Sequence, residues 1–146
     1  MKKRGMVNGT LLGQLTDLRH GDKFVICDIG FPIPKGSNVV DLSIIAGVPS
    51  FTAVLKPILD EIIVQDYTIV DFMQEANPKY YELLKKTFTH PEERKIEEVA
   101  MDVFVERSKE AKLFIRTGET LPASNVLFSV SSGDEWSVDM YDALLT

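Results

Sequence analysis

The chain has 146 residues, 45% of them apolar and 26% charged, which is the make-up of one folded domain with its own core and not of a disordered or fibrous chain. Sixteen Lys and Arg against 22 Asp and Glu leave a net charge of −6, which argues against a nucleic-acid-binding surface. No apolar run exceeds five residues, too few to cross a bilayer, and Cys27, the only cysteine, excludes an internal disulfide and a multi-thiolate metal centre. The basic start Met1-Lys2-Lys3-Arg4-Gly5 is not followed by the apolar stretch of a secretion signal, so the expected setting is the cytoplasm.

Leu11, Leu12, Leu15 and Leu18 mark one face of a first helix, with Thr10 expected as its N-cap and Gly21 as its stop. Lys23 to Cys27 is a short apolar run bounded by Asp22 and Asp28, suited to a strand covered on both faces. Phe31-Pro32-Ile33-Pro34-Lys35-Gly36 cannot be helix interior, because each proline removes a donor and restricts the residue before it. Val39 to Ile45 reads as a second strand. Ser50 caps a helix that turns Val54, Leu55, Ile58 and Leu59 inward, with a bend expected at Pro57.

Ile62 to Phe72, β-branched and aromatic, reads as strand. Asn77-Pro78 is a helix start, N-cap then N1, leading to Tyr81, Leu84 and Phe88. Ile96 to Met101 reads as strand and Val103 to Ala111 as helix. Lys112 to Arg116 and Val126 to Val130 close the pattern as strands around a loop at Thr117 to Pro122. This alternation predicts a single three-layer α/β/α domain with a mostly parallel or mixed sheet. Residues 1–130 form the domain and residues 131–146 a C-terminal extension, in which Trp136, Tyr141, Leu144 and Leu145 would pack as an amphipathic turn.

No phosphate-cradling glycine loop, HExxH or GxSxG occurs. With only His20 and His90, few side chains titrate near neutrality. His20 falls at the expected C-terminus of the first helix, where the macrodipole favours a protonated ring; it reads as a proton donor or as a helix-terminal surface histidine. His90 sits in a polar turn and reads as surface. Asp28 follows the first strand at its carboxyl end, where ligand groups collect in open α/β sheets, or it is a turn aspartate. Cys27 reads as core. Asn125 is a turn residue or a donor and acceptor for sugar hydroxyls, and the run from Glu92 to Glu98 is a solvated charged face.

Together these residues resemble a known family. Leu18-Arg19-His20-Gly21-Asp22, Val25 to Lys35 with its Pro-Ile-Pro-Lys loop, Gly47-Val48-Pro49-Ser50-Phe51, and Ile115-Arg116-Thr117-Gly118-Glu119 followed by Pro122 and Asn125 resemble the D-ribose pyranases. The related L-fucose mutarotases share the His-Gly-Asp and Thr-Gly-Glu elements, and the likeness runs from Lys2 to about Val130. It implies a cytoplasmic isomerase that interconverts ring forms of a free monosaccharide without cofactor or metal. It also implies a ring-shaped homo-oligomer, a pentamer or stacked decamer, with sites at subunit contacts. By position, His20 would be the proton donor and Asp28 a sugar-binding residue. The family's Tyr-Ala-Asn or Tyr-Gly-Asn triplet falls on Ala123-Ser124-Asn125, which keeps only the asparagine. A second basic residue of the family falls on Met101.

A cyclic sugar is a hemiacetal, and opening it needs a proton on the ring oxygen and loss of one from the anomeric hydroxyl. One imidazole titrating near neutrality can supply that proton and recover it. If the first helix ends at His20, that residue and Asp28 lie at opposite ends of one strand, roughly 15 Å apart, so a site using both takes them from neighbouring chains. Three functions follow: a ribose-type or fucose-type ring isomerase, a sugar-binding homologue weakened in catalysis by the changes at Ala123 and Met101, and a structural oligomer without ligand. The joint presence of His20 and Asp28 argues against the third.

Overall fold

The computed structural model describes residues 1–87 and 95–132. The elements run α1 (Gly9–Thr16), β1 (Lys23–Cys27), β2 (Val39–Asp41), α2 (Phe51–Leu59), β3 (Val64–Val70), α3 (Met73–Ala76), α4 (Pro78–Thr87), β4 (Ile96–Val99), α5 (Met101–Ser108), β5 (Leu113–Arg116) and β6 (Val126–Val130). The six strands form one mixed sheet in the order β2-β5-β1-β6-β3-β4. β1 pairs in parallel with β5, β5 with β2, and β3 with β4, whereas β6 runs antiparallel to both β1 and β3. Five strands therefore point one way, and their carboxyl ends share one rim with the start of β6.

Phe24, Val25, Ile26 and Cys27 are all fully buried, which requires layers on both faces of β1 and fits the expected three-layer domain. On one face Phe24 stacks on Phe128, which also meets Tyr67. On the other, Phe31 lies between Phe104 of α5 and Phe114 of β5. Cys27 is core, as expected, and burial pushes its thiol up to about 12.

Several boundaries differ from the sequence reading, each for a local reason. Asn8, not Thr10, caps α1, accepting from Leu11 N–H, and the helix ends at Thr16. Leu18 N–H then bonds Leu15 O, and the Arg19 guanidinium donates to the Thr16 and Leu18 carbonyls, closing the helix end four residues before His20. The second strand stops at Asp41, whose carboxylate accepts from Ser43 N–H and Oγ and turns the chain away. The strand expected through Phe72 ends at Val70, and α3 begins at Met73.

Asn77 caps α4 as read, its Oδ1 accepting from Tyr80 N–H, but the buried pair is Tyr80 and Leu84; Tyr81 is half-buried. α5 starts two residues earlier than expected, at Met101. Phe88, His90, Glu92, Trp136, Tyr141, Leu144 and Leu145 lie outside the described residues. No described helix is long and apolar enough to cross a membrane.

Candidate functional site

The carboxyl rim carries Asp28 after β1 and Asn125 before β6, on adjacent antiparallel strands. The two bond reciprocally: Asp28 N–H donates to Asn125 Oδ1 at 2.9 Å, and Asn125 Nδ2 donates to Asp28 Oδ2 at 3.0 Å. Asp28 Oδ1 also accepts from Gly30 N–H at 3.0 Å. Burial raises the Asp28 carboxyl above its ordinary value against the opposing bonds from Asn125, Gly30 and Phe31, and the nearby Glu119 charge pushes the same way as burial. The turn-aspartate and ligand-group readings of Asp28 are thus compatible: one oxygen holds the turn, and the half-buried carboxylate still sits on the rim.

Beneath this pair lies a platform whose parts sequence reasoning did not assign. Thr117 donates both N–H and Oγ1 to Cys27 O at 2.9 Å, tying the end of β1 to the end of β5. Gly118 is crossed by the backbone of the next loop, and a Cβ there would lie 2.3 Å from Val48 O. Glu119 is almost fully buried, yet Oε2 accepts from Phe51 N–H and Tyr80 OH, and Oε1 from Thr120 and Leu121 N–H. Burial works to raise this carboxyl, but the bonds from Tyr80 and the three backbone donors outweigh it and hold it below its ordinary value. Its partner Tyr80 is pushed up to about 12 by burial and by donating to Glu119. Glu119 O accepts from Ile29 N–H, so the residue after Asp28 hangs on the same platform. A glutamate directly after Thr-Gly at a strand end was the available signal.

Ser124 is buried and donates to Leu121 O while accepting from Asn77 Nδ2. It fixes the loop and is turned to Asn77, not to Asp28. Ala123, also buried, has φ 58°, in the left-handed region that side chains with a Cβ rarely adopt. Met101 opens α5 just beyond the carboxyl end of β4 and packs partly against the core. Asp28, Ala123, Ser124, Asn125 and Met101 therefore share one rim.

His20 does not. It is exposed at the opposite rim, in the turn before β1, where its Nδ1 accepts from Ser132 N–H at 3.2 Å just after β6. Next to it, Gly21 N–H bonds Val130 O. The macrodipole argument fails, because α1 ends well before His20, but the separation of His20 from Asp28 along β1 stands. In the neutral ring, an accepting Nδ1 leaves the proton on Nε2. Among the described residues no cluster of three or more His, Cys, Asp or Glu side chains could hold a metal ion.

The profile of the RbsD / FucU transport protein family matches residues 1–132. The chain belongs to that family. It is 42% identical over 127 residues to "D-ribose pyranase 2" of Streptomyces griseus and 40% identical over 127 residues to "D-ribose pyranase" of Bacillus pumilus; each match covers 87% of this chain and 95% of the relative. The structure of Bacillus subtilis RbsD complexed with D-ribose superposes with a TM-score of 0.83 at 33% identity, covering 91% of this chain and 99% of that one. The crystal structure of FucU from Bifidobacterium longum gives 0.71 at 25% identity, covering 87% and 96%. Membership of the RbsD / FucU family makes the fold expectation and the resemblance one finding.

Proposed function

We propose that this RbsD / FucU family member is a cofactor-free sugar-ring isomerase of the D-ribose pyranase type, with Asp28 and Asn125 as its sugar-binding pair and His20 as its proton donor. The observation that carries this reading is the reciprocal Asp28–Asn125 pair on the carboxyl rim of a chain about 40% identical to D-ribose pyranases. The Asp28 carboxylate accepts from sugar hydroxyls and Asn125 both donates and accepts, which holds the ring in register. The protonated imidazole of His20 gives a proton to the ring oxygen as the bond from that oxygen to the anomeric carbon breaks, leaving the neutral ring. The anomeric hydroxyl loses its proton and an open-chain aldehyde forms. Attack by a different hydroxyl closes a ring of another size, and the proton released returns to the imidazole. General acid–base catalysis of this kind contributes on the order of 10²–10⁴ in rate.

His20 and Asp28 of one chain cannot meet on one sugar, so the site is shared between neighbouring subunits of a ring, a pentamer or a stacked decamer. Ile44 and Ile45, 78% and 64% exposed on the loop after β2, offer apolar surface for such a contact. The ligand is a free monosaccharide of cytoplasmic metabolism, and neither nucleic acid nor membrane enters the scheme. Saturation-transfer NMR on D-ribose tests this: added protein should speed exchange between pyranose and furanose signals, and His20→Ala should return it to the spontaneous rate. No acceleration with any pentose or hexose would overturn the isomerase reading.

A second reading, a sugar-binding homologue weakened in catalysis, is favoured by the apolar side chains of Ala123 and Met101, which offer no hydrogen bond to a sugar. It expects ligand-induced shifts without faster exchange. Under the isomerase reading, Ala123→Tyr with Met101→His should strengthen ribose binding by roughly 1 kcal/mol per bond regained. No gain in binding would mean that the site is built for another ligand.

A further inference from the structure

We propose that Ser132 is a positioning residue for the His20 imidazole, its hydroxyl accepting from Nδ1–H of the working ring while Nε2 serves the sugar. Ser132 has this role only where His20 is the proton donor, so the role rests on the isomerase reading above.

Both partners sit on fixed backbone. Asp22 N–H bonds Arg19 O at 2.9 Å, closing a β-turn with His20 and Gly21 at its centre, and Gly21 has φ 84°, the left-handed setting that the third position of a type II turn requires. The Asp22 carboxylate braces this turn, its Oδ2 accepting from Arg19 N–H at 2.8 Å and from Lys112 Nζ at 2.9 Å. The segment after β6 is tied as closely. Gly21 N–H bonds Val130 O at 2.9 Å, Val130 N–H bonds Asp22 O at 2.8 Å, and Ser131 N–H bonds Ile63 O at 2.9 Å. His20 and Ser132 thus face each other on a continuation of the β1–β6 pairing. Ser132 N–H donates to His20 Nδ1 at 3.2 Å, and Ser132 Oγ lies 3.4 Å from the same nitrogen. Among the described residues no other group bonds the ring.

The protonation states of the ring make different demands on Nδ1. In the neutral ring with its proton on Nε2, Nδ1 is an acceptor and takes the Ser132 N–H. A proton donor is charged: both nitrogens then carry hydrogen, and Nδ1 can only donate. The backbone N–H no longer fits, and the Ser132 hydroxyl, an acceptor at the same nitrogen, replaces it. As the Nε2–H bond breaks and the sugar ring oxygen takes the proton, the electron pair stays on Nε2 and the neutral ring keeps its hydrogen on Nδ1, still donating to Oγ. The proton lost by the anomeric hydroxyl then returns to Nε2. Ser132 Oγ therefore holds one nitrogen throughout the cycle, and the bond that the other makes is thereby fixed. A separation of 3.4 Å in the free protein suits a contact that tightens in the working state.

Ser132→Ala removes the hydroxyl and keeps the N–H, and Ser132→Thr restores a hydroxyl. In D-ribose exchange measured by saturation-transfer NMR, kcat should fall roughly tenfold in Ser132→Ala. KM should stay unchanged, because the Asp28–Asn125 pair is untouched, and Ser132→Thr should recover most of the loss. A second readout follows the ring itself, without sugar. With the imidazole nitrogens isotopically labelled and the ring charged at acid pH, Nδ1–H of His20 should exchange with water several-fold more slowly than Nε2–H in the wild type, and as fast in Ser132→Ala. Equal kcat in the wild type and Ser132→Ala, a change confined to KM, or Nδ1–H and Nε2–H exchanging alike in the wild type overturns the role of Ser132 and leaves the isomerase reading standing. No acceleration by the wild type on any sugar overturns both.

Discussion

Subunit mixing puts the shared site to a quantitative test. β1 separates His20 from Asp28 by five strand residues, about 15 Å of rise, while Asn125 and Ser132 bracket β6 in the reverse sense and mark the same two rims. A site using both residues therefore takes one from each side of a subunit contact. In the proposed ring, His20→Ala alone or Asp28→Ala alone puts a lesion in every site. In an equimolar mixture that exchanges subunits, each site draws one chain at random on either side, so about one quarter of sites receive both intact residues. Ribose exchange measured by saturation-transfer NMR should rise to roughly a quarter of the wild-type rate and fall off on either side of equal proportions. A mixture that stays at the spontaneous rate after demonstrated subunit exchange, at every ratio, would refute the argument from strand length.

Three further outcomes follow from the platform and the pair above it. Gly118→Ala drives a methyl to 2.3 Å from Val48 O and strains the bonds of Gly118 N–H to Pro49 O and Gly47 N–H to Gly118 O; overpacking plus two weakened bonds should cost about 2–4 kcal/mol in urea unfolding, and a loss below about 0.5 kcal/mol would contradict the close approach. Glu119 titrates lower in the folded chain than in the unfolded one, so its stabilisation is present above the ordinary value of 4.5 and is lost as pH falls through the depressed one. Glu119→Gln should therefore be less stable at neutral pH and should lose less on acidification than the wild type, and parallel urea midpoints across pH would argue against the charged hub. Asn125→Leu removes both bonds to Asp28, and should weaken ribose binding and raise the Asp28 carboxyl further, as read by ligand titration and by carboxyl NMR shifts; an unmoved carboxyl would show that Asn125 does not hold it.

Much of the fold was legible because its cues are local. Lys23 to Cys27 and Val126 to Val130 stand out as short apolar runs between turn residues, and Asn77-Pro78 carries its cap chemistry in two letters. The first helix was overextended because Leu18 continues its apolar spacing; what stops it is the Arg19 guanidinium on two carbonyls, a contact that periodicity does not encode. Asp28 and Asn125 were found singly, as residues at strand ends, but their reciprocal bond depends on β6 lying beside β1, a pairing of residues 97 positions apart. Glu119 was legible only as a letter in a motif. Its donors come from α2, α4 and its own loop, and no spacing in the chain announces that meeting.

The antiparallel β6 has a consequence for how the chain is made. Strands β2, β5 and β1 form one half of the sheet, β3 and β4 the other, and β6 alone is hydrogen-bonded to both. It is also the last of the described strands to leave the ribosome. Until it arrives, β1 and β3 each present an open, apolar edge, the kind of surface that pairs with the wrong chain. Everything through β6 must therefore be synthesised before the core can close. Chains halted before residue 126 should accumulate as aggregates and not as partly folded domains.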